Sequence, residues 1–182
     1  MSKAIAFLAF SMGLLYVSRK SLRRFHSHGF YRFFAWEAIL ALILLHINRW
    51  FLQPASAHQI VSWLFLSISL FMVIHGVQLL RTIGKPDTRR LDPDLMGIEK
   101  TTRLVTVGAY RFIRHPLYSS LLFLAWGAFF KMPSRFGGVL VIAASVFLAA
   151  TAKIEETENL RYFGPVYKEY MGRTKMFVPF IF

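Results

Sequence analysis

The chain has 182 residues, of which 55% are hydrophobic and 17% charged, and its 22 Lys and Arg residues against nine Asp and Glu residues give a formal charge of +13. Soluble domains are about 45–50% apolar and about 25% charged, so the composition argues against a soluble fold, and it is too apolar for intrinsic disorder. Cysteine is absent, which excludes disulfides, thiolate metal sites and a cysteine nucleophile. The basic excess would indicate nucleic-acid binding only on one face of a polar domain, so the position of the charges is decisive.

Five segments of the chain are apolar and nearly free of charge. The longest covers residues 60–80, has no charged side chain, and meets the requirement of about 20 residues for a helix that crosses a bilayer core. The other four, at 4–17, 33–47, 117–130 and 137–152, are shorter and need additional length from flanking residues. The sequence therefore predicts an all-α integral membrane protein with five transmembrane helices.

The basic residues are distributed unevenly between the predicted loops. Eighteen of the 22 lie between the first and second spans, between the third and fourth, or after the fifth, which are all on one side of the membrane. Because cytoplasmic loops carry the Lys and Arg excess, we expect the N-terminus outside and the C-terminus in the cytoplasm. This distribution favours contact with membrane lipids and argues against a nucleic-acid partner. We expect one domain over residues 1–182, with three spans in 1–80 and the loop, a helical hairpin and the tail in 81–182.

The connection between the third and fourth spans is long, and connections of this length are usually functional or disordered. Glycines and prolines punctuate its first half, which predicts irregular backbone. It ends in Arg114, His115 and Pro116, and Pro116 suits the first turn of a helix. His115 then lies at a helix N-terminus, where an anion is favoured. The alternative is an interfacial histidine beside ordinary membrane-anchoring residues.

The tail after the fifth span is predicted to contain a helix break. The fifth helix should continue to Phe163 and stop at Gly164, and a further helix should begin at Pro165. Apolar and aromatic residues at four positions between 166 and 171 recur at helical spacing, which is typical of an amphipathic helix that lies on the membrane. The apolar residues 177–182 are expected to fold back as a lid.

These features together resemble the isoprenylcysteine carboxyl methyltransferase family, in the form of its compact prokaryotic members, with phospholipid methyltransferases as relatives. The resemblance covers roughly residues 102–182. The residues that carry it before the predicted hairpin are Leu104, Val105, Thr106, Gly108, Tyr110, Arg114, His115, Pro116 and Tyr118. Those that carry it after the hairpin are Glu155, Glu156, Phe163, Gly164, Tyr167, Tyr170, Arg173 and Pro179.

The resemblance implies a membrane methyltransferase that uses S-adenosylmethionine and releases S-adenosylhomocysteine, with the cofactor held between the cytoplasmic loop and the tail. It assigns cofactor binding to Thr102, Arg103, Leu104, Val105, Tyr110, His115, Pro116, Leu117, Tyr118, Glu155 and Glu156. It places Arg173 where the acceptor binds. The sequence has no G-x-G-x-x-G pattern after a strand, so a doubly wound cofactor domain is excluded and the site must be built from helices and loops.

The chemistry of Arg173 favours an anionic acceptor. A carboxylate is ionised at neutral pH and needs no general base, so the protein has to align the groups and exclude water, and a guanidinium grips a carboxylate with two hydrogen bonds. We therefore expect methyl transfer to the carboxylate of a lipidated or lipophilic acceptor, such as a prenylated one, that enters from the bilayer. One alternative is a phospholipid N-methyltransferase, in which Glu156 or His115 acts as the base. The other is a non-enzymatic transporter or scaffold whose basic loops bind anionic lipid.

Some polar residues fall within or beside the predicted spans. Glu37 and His75 lie inside spans, where ionisable residues are candidates for contact with substrate. The alternatives are an ion pair of Glu37 with Arg32 and a hydrogen bond from His75 to another helix. His26 and His28 have the spacing of a metal-binding pair, but two ligands fall short of the usual four, so no metal is expected. The sequence leaves the oligomeric state open.

Overall fold

The computed structural model describes residues 3–87 and 97–179, and within these ranges the protein is all-helical, with isolated bridges but no β-strand. The α-helices are α1 Lys3–Leu22, α2 His28–His46, α3 Ala57–Thr82, α4 Pro116–Phe130, α5 Arg135–Phe163 and α6 Pro165–Arg173. Short 3₁₀ turns occupy 47–49, 97–99 and 108–111. Arg89, Arg90, Asp92 and Asp94 of the charged loop, and residues 180–182 of the expected lid, lie outside the described residues.

Four of these helices are long and apolar enough to cross a membrane, namely α1, α2 with its extension to Arg49, α3 and α5. Helix α4 is also apolar but has 15 residues, which gives a length of about 22 Å against a bilayer core of about 30 Å. The sequence-predicted helices are therefore all present, while four of the five meet the length expected of a membrane span. The short α4 is the exception.

The helices pack in the spatial order α1, α2, α5, α4, α3, and α2 also contacts α4. The centre of the bundle is built from Ala38 and Leu42 of α2, Ala125 and Ala128 of α4, and Ala144 of α5, all buried. Small residues at helix interfaces allow two backbones to approach closely, which is how helices associate within a membrane. Helices α1 and α3 lie at the edges and leave most of their surface exposed.

The break between α5 and α6 is confirmed where the sequence predicts it. Gly164 has φ +63° and ψ −138°, a combination that is strained for any residue with a side chain, and Pro165 occupies the first turn of α6. After this break, Tyr167 and Tyr170 are buried against the protein, whereas Val166 is exposed. Helix α6 thus directs its aromatic face into the protein and not only toward the membrane.

The two polar residues inside spans have different surroundings. Glu37 accepts a hydrogen bond of 2.8 Å from the Ser11 hydroxyl of α1. The His75 ring stacks on Phe71 with ring centroids 5.5 Å apart. It also lies beside the backbone of Gly108, where an added Cβ would come within 2.5 Å of the His75 Nε2. Gly108, at φ +59°, therefore lets the 108–111 turn pack closely on α3.

Lys131 closes the bundle at the end opposite the long loop. Its side chain is fully buried, with Nζ 3.2 Å from the centroid of the Trp63 ring. The ammonium donates hydrogen bonds to Gln59 Oε1 at 3.0 Å and to the Trp50 carbonyl at 3.3 Å. A cation over an indole ring and two acceptors compensate for the loss of water. Lys131 therefore links the end of α4 to α3 and to the connection between α2 and α3.

Candidate active site

A cavity lies at the end of the bundle where α3 and α5 end and α4 begins. Its empty volume is about 590 Å³ with the open mouth included. Its walls come from the end of α3, the loop after residue 97, the start of α4, the end of α5, and α6. The loop, the hairpin and the tail therefore meet at one place, as the sequence predicts for the cofactor site.

Seven of the eleven residues expected to bind the cofactor line this cavity: Leu104, Val105, Tyr110, His115, Leu117, Tyr118 and Glu155. Pro116 and Glu156 are buried next to them without being part of the lining. Thr102 and Arg103 are exposed, and their backbone N–H groups donate to the Gly84 carbonyl at 3.0 and 3.2 Å. These two residues fasten the loop to the end of α3.

Arg173 lies outside the cavity lining. It is the last residue of α6, its side chain is 68% exposed, and its guanidinium is 3.2 Å from the Glu169 carboxylate one turn earlier. An exposed pair of this kind holds its side chains only weakly. The contact with Glu169 therefore leaves the direction of the Arg173 side chain adjustable.

The segment after α6 runs alongside the residues that precede α4. The Arg114 N–H donates to the Lys175 carbonyl at 2.8 Å, the Lys175 N–H donates to the Phe112 carbonyl at 3.0 Å, and the His115 N–H donates to the Met176 carbonyl at 3.2 Å. This short parallel pairing fixes the backbone of Arg114 and His115. The tail segment 175–176 thus fixes the position of the residues just before α4.

The first part of the expected lid is instead a part of the core. Phe177 is buried and packs with Met176, Tyr118 and Leu148. Its carbonyl accepts a hydrogen bond of 2.8 Å from the Ser119 hydroxyl. Phe177 therefore packs against the first turn of α4. The chain past residue 179 lies outside the described range.

A buried ion pair joins the loop to α5 beside the cavity. The Arg114 Nε donates to Glu156 Oε1 at 2.5 Å, and the two side chains are 10% and 9% exposed. The same guanidinium donates to the Met171 and Thr174 carbonyls. The pair fixes three segments relative to one another. It also engages one oxygen of the Glu156 carboxylate, Oε1.

The carboxylate of Glu155 is held from two sides in the cavity wall. The Tyr118 hydroxyl donates to Glu155 Oε2, and the Asn159 amide donates to Glu155 Oε1 at 3.5 Å. The ring of Tyr118 stacks on that of His115 with centroids 5.4 Å apart. Two aromatic rings and one oriented carboxylate therefore form one side of the cavity.

The His115 imidazole has an unused polar atom. Nε2 is buried and makes no hydrogen bond of normal geometry within the part of the chain that the structure describes, while Glu156 Oε1 lies 3.4 Å away. Buried polar atoms are generally paired, so such an exception needs an explanation. A ligand in the cavity that hydrogen-bonds to His115 would provide one.

Three of the tyrosines that line the cavity have raised pKa values. Burial raises the pKa values of Tyr110, Tyr167 and Tyr170 well above their ordinary value, which is about 10. All three therefore remain uncharged at physiological pH. The Tyr170 hydroxyl donates to the Tyr110 carbonyl at 2.7 Å, which links α6 to the turn before α4.

Other lining residues were not expected from the sequence: Leu80, Glu99, Thr101, Asn159 and Phe163. Asn159 and Phe163 follow Glu155 at intervals of four residues on α5, so helical spacing from Glu155 indicates them. Glu99 and Thr101 lie in irregular backbone, and the sequence carries no comparable signal for them.

The two histidines with metal-like spacing have separate partners. His26 Nδ1 lies 3.3 Å from the Tyr31 hydroxyl, and His28 Nδ1 lies 2.6 Å from Glu158 Oε2. Among residues 3–87 and 97–179 there is no group of three or more His, Asp and Glu side chains placed to hold a metal ion. His28 instead connects α2 to the end of α5.

Fold and site together define a helical membrane protein with a cavity at one end of its bundle. Residues 57–166, more than half of the chain, match the phospholipid methyltransferase family, and the protein belongs to this family. The matched region contains every lining residue of the cavity except Tyr167 and Tyr170. The region that matches the family therefore contains most of the residues that form the cavity.

Two curated relatives support the same assignment. The chain is 30% identical over 122 residues to protein-S-isoprenylcysteine O-methyltransferase B of Arabidopsis thaliana, covering 65% of this chain and 61% of that protein. It is 32% identical over 88 residues to methanethiol S-methyltransferase 1 of Bradyrhizobium diazoefficiens, covering 47% of this chain and 30% of that protein. The chain spans less than two thirds of either relative. No solved structure matches it. The family resemblance seen in the sequence is confirmed.

Proposed function

We propose that this protein transfers a methyl group from S-adenosylmethionine to the carboxylate of a lipophilic acceptor, such as a prenylated cysteine, at the cytoplasmic surface of the membrane. The observation that carries the proposal is the coincidence of the cavity with the region that matches a methyltransferase family. The relative matched over the longer stretch bears the name of a protein-S-isoprenylcysteine O-methyltransferase.

The residues of the cavity fit the proposed cofactor. S-adenosylmethionine, when bound, supplies a methyl group that is already activated on a cationic sulfonium. Glu155 lines the cavity, and its carboxylate favours a cation. Glu99 also lines the cavity, with its charge paired by Arg32. The buried His115 Nε2 makes no hydrogen bond of normal geometry among the described residues and lies 3.4 Å from Glu156 Oε1, and we assign it to a hydroxyl or carboxylate oxygen of the ligand. The rings of Tyr110 and Tyr118 supply flat apolar walls for a purine base.

A carboxylate acceptor is favoured because Glu156, a possible base on the sequence alone, is held by Arg114. Glu156 is engaged by Arg114 and nearly buried, and a carboxylate acceptor needs no deprotonation. Alignment and exclusion of water are then the main requirements. We assign Glu156 the role of holding Arg114, and Arg173 that of gripping the acceptor carboxylate from the end of α6, one turn beyond Tyr170, which lines the cavity. A phospholipid amine is the second candidate, because Glu155 in the wall is a carboxylate able to accept its proton.

The orientation of the protein follows from the same proposal. Eighteen of the 22 basic residues belong to the three sequence segments that the predicted spans place on the side of the cavity, and basic loops face the cytoplasm. We therefore propose five spans with the N-terminus outside. The short α4 completes its crossing with the residues that flank it. The acceptor then enters from the bilayer with its lipid chain among the helices and its head group at the cavity.

The choice of acceptor is testable with purified protein in lipid nanodiscs and methyl-labelled S-adenosylmethionine. We expect label in a base-labile ester of a prenylcysteine, and none in the matched prenylcysteine amide, which lacks the carboxylate. Label in phosphatidylethanolamine would establish the amine alternative, and label in methanethiol would establish an S-methyltransferase. Transfer to none of these acceptors would contradict the proposed reaction.

A further inference from the structure

Two side chains of helix α2, four residues apart, contact the loop that forms the cavity wall and the end of α5. Residues at this spacing share one face of a helix. The Arg32 guanidinium donates from one nitrogen to both oxygens of Glu99, at 2.9 and 2.8 Å. His28 Nδ1 lies 2.6 Å from Glu158 Oε2, and Glu158 follows Glu155 by three residues on α5. Helix α2 lies outside the region that matches the family.

The ion pair between Arg32 and Glu99 is almost completely shielded from solvent. The side chains of Arg32 and Glu99 are 7% and 11% exposed, so water screens their attraction only weakly. The Arg32 guanidinium also lies 5.1 Å from the centroid of the Trp36 ring on the same helix, within the range of a cation–π contact. Arg32 therefore presents its charge to Glu99 from a restrained position.

The segment around Glu99 is attached at two places, to the chain after α3 and to Arg32 of α2. On one side, residues 100–103 are fastened to the chain after α3 by backbone hydrogen bonds from Asp87, Thr102 and Arg103. Glu99 lies just before this attachment and lines the cavity. Arg32 holds it from the other side, across 67 positions of sequence. The segment 97–105 is thus held between α3 and α2.

We propose that Arg32 is a positioning residue for the cavity: it holds the Glu99 carboxylate in the wall and keeps segment 97–105 closed against the ligand. This inference rests on the proposed function for the identity of the ligand, a cationic sulfonium cofactor. His28 supports the same arrangement by holding the end of α5, where Glu155 forms the opposite acidic wall. The N-terminal part of the chain, outside the family match, is then a component of the site.

The test compares the full-length protein with Arg32→Gln, Glu99→Gln and the double variant, using S-adenosylhomocysteine as the probe and Arg23→Gln as the control, because Arg23 is exposed at the same end of the bundle. We expect each single variant to weaken binding by about ten- to hundredfold, by analogy with the loss of a group that orients a metal ligand. The affinity of the double variant should equal that of the single variant with the lower affinity, since the two residues act as one unit. Arg32→Lys should restore part of the affinity, because it keeps the charge.

Hydrogen–deuterium exchange separates this inference from the proposed function. Without ligand, Arg32→Gln should speed exchange in residues 97–105 and leave α4 unchanged. If the wild-type protein binds no S-adenosylhomocysteine, the proposed cofactor is wrong, and the exchange experiment still decides whether Arg32 holds the segment. Exchange and affinity that equal those of the wild type in Arg32→Gln would overturn the inference. So would uniform loss of protection throughout the bundle, since that would show a general structural role.

Discussion

Replacing Arg114 with Met is expected to lower the free energy of unfolding by about 3–5 kcal/mol, because it leaves the Glu156 carboxylate buried without its cation. The two groups are 2.5 Å apart and about nine-tenths buried. The Arg114 guanidinium also satisfies the Met171 and Thr174 carbonyls at the end of α6, so the variant should release the tail and lose binding of S-adenosylhomocysteine. Denaturant unfolding in detergent micelles measures the stability.

Two further variants make this prediction specific. Arg111→Met removes an exposed arginine three positions earlier and should change stability by no more than about 0.5 kcal/mol. The double variant Arg114→Met with Glu156→Leu removes both charges and should recover most of the lost stability, since apolar replacement of a whole buried pair is often neutral. An Arg114→Met protein as stable as the wild type would show that the pair does not hold the loop, α5 and the tail together.

Replacing Arg173 with Ala is expected to slow methyl transfer by about a hundredfold, the cost of losing alignment of a reacting group. Cofactor affinity and stability should be unchanged, because the side chain is 68% exposed and contacts only the equally exposed Glu169 among the ion pairs described. Turnover of the prenylcysteine acceptor and titration with S-adenosylhomocysteine measure the two effects separately.

Lys168→Ala is the matched control for Arg173, as Lys168 is an exposed cation on the same helix, and its turnover should equal that of the wild type. Loss of cofactor binding in Arg173→Ala with no separate effect on turnover would place Arg173 on the cofactor side. Unchanged turnover would remove it from the mechanism.

Local signals in the sequence were sufficient for the helices and for part of the site. Pro116 and Gly164 mark a helix start and a helix end through their own backbone restrictions, and both boundaries occur where predicted. His115, Tyr118 and Glu155 were identified because they lie next to these boundaries or carry the family resemblance, and all three line the cavity. Site residues of this kind can be predicted from the sequence because the signals that mark them are close to them in the chain.

Contacts between distant segments could not be read in this way. The partners of Arg32 and Arg114 lie 67 and 42 positions away, and a basic residue has no local feature that names its acidic partner. The side of α6 that packs on the protein depends on the angle at Gly164, so Tyr167 and Tyr170 were assigned to the membrane surface although both are buried in the cavity wall. Burial within the fold, not the pattern of hydrophobicity, decided these cases.

The most direct test of the account is calorimetric titration of S-adenosylhomocysteine into the purified protein in detergent or lipid. We predict saturable binding at one site, weakened about tenfold or more in His115→Ala, because the variant removes the buried Nε2 that we propose hydrogen-bonds to the ligand. Lys153→Ala, an exposed change on α5, should bind as the wild type does. Absence of saturable binding by folded wild-type protein would contradict the assignment of the cavity to the cofactor, and with it the proposed methyltransferase.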